Sequence, residues 1–141
     1  MVGQKSQKIA KLVEPFAGKD HDAHYLAYFD FFNRGLFYEA HDVLEHLWLP
    51  QRKDAAGDFY KGLIQLAGAF VHLQKDRLRP AAALFKLAQN NVQKYGTVRE
   101  SLDIRSVQAL IATYSAVLLA SDYETNPLKT LGPPKLLLWS A

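Results

Sequence analysis

The chain has 141 residues, 49% of them hydrophobic and 22% charged, with no cysteine and a net charge of +3. That length suits one domain whose core needs neither disulfide nor structural metal, and the lack of cysteine excludes thiolate metal sites. The apolar runs Gly62–Leu73 and Ala109–Ala120 are broken by polar residues and shorter than the roughly 18 residues of a membrane span. The N-terminus lacks the apolar run of a signal peptide, so a soluble, cytoplasmic protein with no membrane partner is expected.

The charge is segregated. Residues 1–19 carry net +3, residues 20–50 net −5 and residues 51–141 net +5, and four of the five histidines fall in the acidic block. The positive charge is scattered rather than gathered in a stripe, which argues against nucleic acid as a partner.

Helical periodicity runs through the chain without strand alternation, which predicts an all-α fold. Residues 1–19 read as an N-terminal arm with one short helix, ending at Gly18; residues 20–122 read as the helical bundle. A first firm helix is predicted from an Asp20 cap to about Asn33, with Gly35 ending it in a left-handed conformation. A second runs from about Leu36 to Leu49 and stops at Pro50. A third spans about residues 55–74 and is apolar over most of its circumference, so it is the expected central, buried helix. A fourth begins at Pro80 and ends before Gly96, and a fifth runs from about Leu102 to Ser121 under a Ser101 cap. Short connections imply antiparallel neighbours and hence a compact bundle of five or six helices. Residues 123–141, with Pro127, Pro133 and Pro134, read as an extended tail. Its end, Leu136–Trp139, is too apolar to stand in water and is expected to strap onto the bundle or onto a second subunit.

On a helical wheel, Phe37, Ala40, Val43, Leu44, Leu47 and Trp48 form one apolar arc of the second helix. His41 and Glu45 lie one turn apart at an edge of that arc, where they can share a hydrogen bond or ligate one metal ion. Asp42 and His46 repeat the spacing on the expected outer face, where a surface pair contributes a few tenths of a kcal/mol at about one turn's separation. The run His41-Asp42-Val43-Leu44-Glu45-His46 has neither the H-E-x-x-H nor the H-x-x-E-H spacing of zinc proteases. On the third helix, Lys61, Gln65 and His72 form a polar stripe with Gly68 between them. A buried polar stripe must be satisfied, and Glu39, His41 and Glu45 on the preceding helix are the expected partners. His21 and His24, beside Asp20 and Asp22, are expected to be surface residues.

Residues Phe32-Asn33-Arg34-Gly35-Leu36-Phe37-Tyr38-Glu39-Ala40-His41-Asp42-Val43-Leu44-Glu45-His46-Leu47-Trp48 form a first block. Phe59-Tyr60-Lys61-Gly62-Leu63-Ile64-Gln65-Leu66-Ala67, followed by His72, form a second. Together they resemble the two hallmark blocks of the family known as domain of unknown function 309, over residues Tyr28–Leu87. The resemblance implies an all-helical fold and assigns no activity. Pro80 stands where the family often has glycine, and Gly57 where arginine is common, so no arginine-dependent role is expected at that position.

Two functions remain open at this point. One is a pocket between the second and third of these helices, built from Glu39, His41, Glu45, Gln65 and His72. In it His41, Glu45 and His72 would hold a divalent metal ion as cofactor, or a small ligand would bind. The other is an interaction module in which the polar network is structural, with a homodimer formed through an apolar surface or the Leu136–Trp139 tail. Nucleic-acid binding through Lys75, Arg77, Arg79 and the lysine-bearing N-terminal arm ranks last, because the acidic helix would repel phosphate.

Overall fold

The computed structural model describes residues 3–139; the first two residues of the expected arm and the last two of the expected tail lie outside the described residues. In chain order the elements are α1 (Gln4–Val13), α2 (Ala23–Asn33), α3 (Phe37–Trp48), α4 (Gly57–Gln74), α5 (Leu78–Val92), a hairpin of β1 (Val98–Arg99) and β2 (Leu102–Asp103), α6 (Ile104–Ala120) and α7 (Pro127–Leu131). The fold is an all-helical bundle with one two-stranded ribbon.

α4 is the central helix. Eleven of its eighteen residues are buried, among them Phe59, Leu63, Leu66, Phe70 and Leu73, and it lies between α3 and α5. Phe70 is the hub of the aromatic core: its ring centroid is 4.9 Å from those of Phe37 and Tyr114, 5.3 Å from Phe85 and 5.6 Å from Phe32. Such pairs contribute about 0.5–1.5 kcal/mol each beyond their buried area. The close approach of α4 to α5 depends on Gly62, where a Cβ would come within 2.8 Å of Val92 Cγ1 and 3.1 Å of Asn91 Cβ.

Gly35 ends α2 as expected. At φ +76° it lets the amide of Leu36 donate to the Phe31 carbonyl (2.8 Å) and its own amide to the Phe32 carbonyl (3.0 Å), closing the last turn. The N-cap, however, is Asp22 rather than Asp20: its carboxylate accepts from the His24 amide at 2.7 Å, which satisfies one orphan donor. Pro50 falls inside a 3-10 turn that continues α3, and Pro80 is the third residue of α5 rather than the first. α6 is capped by Asp103, whose side chain accepts from the Arg105 amide at 2.9 Å, and not by Ser101, which belongs to the hairpin turn. That hairpin escaped the periodicity because each strand is two residues long, too short to alternate.

Among the described residues, both the N-terminal arm and the C-terminal tail pack on the bundle. α1 buries Ile9 and Val13 and packs on α2 and α3. In the tail, Asn126 caps α7 and Pro127 occupies its first turn, so part of the expected extended segment is helical. Beyond Gly132 the chain is extended and straps onto its own bundle. Leu136 is 3% exposed, Leu138 bridges to Leu102, and Tyr114 Oη donates to the Gly132 carbonyl at 2.5 Å.

Candidate functional site

On α3, Phe37, Ala40, Val43 and Leu44 are buried and form the arc that faces the core. The edge beside it holds a cluster of four polar groups. His41 Nδ1 lies 3.2 Å from Asp42 Oδ1 and its Nε2 3.8 Å from Glu45 Oε2; Lys5 Nζ of α1 lies 3.7 Å from Asp42 and 3.8 Å from Glu45. The Tyr38 ring lies nearly parallel to His41, with centroids 6.5 Å apart. The Asp42 side chain is only 15% exposed, less than His41 at 30% or Glu45 at 32%. The expected outward pairing of Asp42 with His46 therefore does not form. α1 folds back over this face and turns Asp42 inward, while His46 stacks on His24 of α2 at 5.4 Å and 21°. Asp22 fixes His24 through a 2.9 Å contact to Nδ1.

The polar stripe of α4 turns away from this cluster, toward α5. Gln65 Oε1 accepts from Asn91 Nδ2 at 2.7 Å, and a Cβ on Gly68 would meet Leu84 of α5 at 3.2 Å. His72 has a buried Nδ1 without a hydrogen-bond partner among the described residues. Burial, and then the charges of Arg77 and Lys75, hold its pKa below the ordinary imidazole value, which disfavours its charged form. Glu39 is half-buried and forms no ion pair among the described residues. Among the described residues, no three histidine, aspartate or glutamate side chains converge closely enough to hold a metal ion. Of the five expected pocket residues, then, the fold brings His41 and Glu45 together and satisfies Gln65 elsewhere. Lys5 and Asn91, which complete these contacts, carry no helical-wheel signal because each lies on an element far along the chain.

Gly57 shows why arginine is absent from that position. A Cβ there would collide with the Arg52 carbonyl at the α3–α4 turn.

A second surface stands out for its lack of charge. α6 has seventeen residues, of which Arg105 alone is charged, and it exposes Ala109, Ala112, Ala116, Leu119 and Ala120. Beside it a groove of about 870 Å³ separates α6 from α5. Its apolar walls are Ala82, Ala83, Ile111, Ala112 and Leu119; Gln89, Gln108 and Ser115 add polar groups, and Arg79 and Lys86 stand on the α5 side. The Arg79 guanidinium lies 4.3 Å over the Tyr123 ring.

The fold and these two surfaces define a small helical-bundle domain built around a histidine- and carboxylate-bearing helical hairpin. Residues 25–84, which span α2 to the first half of α5, match the family described as Domain of unknown function (DUF309). The chain matches no curated protein and no solved structure. No helix among the described residues is long and apolar enough to cross a membrane.

Proposed function

We propose that the protein is a self-associating helical module in which two copies meet through α6. The observation that carries this reading is the outer face of α6, where small and apolar side chains are presented to water over the length of the helix. Alanines at such positions let two backbones approach closely, and the α5/α6 groove offers the second helix a trough. Charge favours a second copy as the occupant. In an antiparallel crossing centred near Ala112, the Arg105 end of one helix lies beside the exposed Asp122 and Glu124 that follow the other. The tail is a poorer interface, since Leu136 and Leu138 are engaged within their own chain and only Leu137 and Trp139 face outward.

Light scattering on the full chain tests this reading. A dimer is expected, Ala112→Glu should yield a monomer with unchanged helical circular dichroism, and Trp139→Ser should remain dimeric. A monomer for the unaltered chain at about 100 μM, a concentration that favours all but weak association, would overturn it.

A second reading places a small ligand or divalent ion at the α3 edge, favoured by the 3.8 Å approach of His41 to Glu45. Lys5 would have to move aside, because a cation cannot share two carboxylates with an ammonium at that range. Metal analysis and calorimetric titration of the unaltered chain and of His41→Ala decide it; equal behaviour of the two would remove it.

A further inference from the structure

His21 lies just before α2, and the structure places it against the β1–β2 turn eighty residues away. Its Nε2 is 3.0 Å from Ser101 Oγ, and its Nδ1 is 3.6 Å from Glu100 Oε2. A carboxylate beside Nδ1 favours the tautomer protonated there, which leaves the Nε2 lone pair to accept from the Ser101 hydroxyl. Arg99 Nε lies 3.7 Å from the other Glu100 oxygen, within ion-pair range. This is the order of groups in a serine nucleophile, histidine base and carboxylate relay.

The backbone that presents these groups is unusual. Glu100 and Ser101 adopt φ of +49° and +62°, the left-handed pair that a two-residue hairpin turn requires and that Asn-Gly ordinarily supplies. Two contacts pin the turn in place: Tyr25 Oη donates to the Glu100 carbonyl and the Trp139 amide to the Ser101 carbonyl, both at 2.8 Å. Strained backbone held from both sides is a recurrent feature of reactive positions. The relay opens into a cavity of about 930 Å³ walled by Phe16, Leu26, Leu138 and Trp139, with Lys19 and Asp20 also lining it.

We propose that Ser101, His21 and Glu100 form a hydrolytic site for carboxylic esters with an apolar acyl group. The Ser101 oxygen attacks the ester carbonyl as its proton passes to His21 Nε2, forming an Oγ–acyl bond. The bond to the leaving alcohol breaks as Nε2 returns that proton to the departing oxygen. Water then attacks the acyl-serine, giving a proton to Nε2. The carboxylic acid leaves, and Ser101 regains its hydrogen. The net reaction is ester plus water to acid plus alcohol. Glu100 is the positioning residue, and the apolar walls take the acyl chain. Ser101, His21 and Glu100 lie outside residues 25–84, and the site does not depend on how α6 is used.

The test is hydrolysis of p-nitrophenyl butyrate by the full chain, with fluorophosphonate labelling mapped by mass spectrometry. Ser101→Gly is the informative variant, because glycine accepts the left-handed turn while the nucleophilic hydroxymethyl group is lost. We expect one label, on Ser101, and a fall in kcat/KM of about a hundred-fold or more in Ser101→Gly and in His21→Gln, with helical circular dichroism unchanged. Glu100→Gln should lower kcat while leaving KM near its original value. No label, a label on another residue, or full activity in Ser101→Gly would overturn the proposal.

Discussion

Asn33 and Leu136 exchange two hydrogen bonds across 103 residues of sequence: Asn33 Nδ2 donates to the Leu136 carbonyl and the Leu136 amide donates to Asn33 Oδ1, both at 2.7 Å. The side-chain amide acts as a surrogate strand and satisfies both backbone groups of a residue that is itself buried. Asn33→Ala should cost about 1–3 kcal/mol, since it leaves a buried amide and carbonyl unpaired. Asn33→Asp should cost at least as much, because its carboxylate would face the Leu136 carbonyl. Urea denaturation measures both; a loss under about 0.5 kcal/mol would mean that the strap detaches freely.

Gly57→Ala should destabilise the protein by about 1–3 kcal/mol, through overlap with the Arg52 carbonyl rather than through helix propensity, which alone would favour alanine. The thermal midpoint should therefore fall. An increase would show that the α3–α4 turn adjusts without cost.

Asn126 joins three segments. Its Nδ2 donates to the Leu73 carbonyl at 2.6 Å and to Asp76 Oδ1 at 2.9 Å, while its Oδ1 caps α7 by accepting from the Leu128 amide at 3.0 Å. Asn126→Ala should cost about 2–4 kcal/mol through the lost cap and the orphaned carbonyl at the end of α4.

The same junction sets a pH dependence. Hydrogen bonds from Asn126 and then Lys129 hold the Asp76 pKa below the ordinary carboxylate value. A depressed carboxylate stabilises the fold above its unfolded pKa, and that contribution is lost as pH falls through the folded pKa. In Asn126→Ala the Asp76 midpoint, followed by NMR, should rise toward the ordinary value; an unchanged midpoint would assign the shift to Lys129 alone.

The shielding of His72 Nδ1 from water leads to a last expectation. Its NMR titration should have a midpoint below the free imidazole value of about 6.5, because burial and the neighbouring Arg77 and Lys75 disfavour the charged form. A midpoint at or above that value would require a carboxylate close to the ring.

How much of this was legible in the sequence differs from element to element. The arc Phe37, Ala40, Val43, Leu44 and the apolar girth of α4 were readable because helix geometry converts spacing directly into a face, and a face that is apolar must be covered. Gly35 was readable because few other residues tolerate its backbone angle. The pairing of His41 with Glu45 followed from a single helical turn.

Periodicity gives the angle at which a side chain leaves a helix but not the neighbour it meets. Gln65 pointed to a polar partner in the sequence, and the tertiary structure decided that the partner is Asn91 on α5 rather than a group on α3. The seating of α1 over Asp42, the clasp of Asn33 on Leu136 and the contact of His21 with Ser101 join residues 37, 103 and 80 positions apart. Local propensities end within a turn or two of the chain, so side-chain choices made by each segment alone determined the helices. Which polar groups came to share a site was decided by how those helices packed, since only burial forces a donor to find its acceptor across such distances.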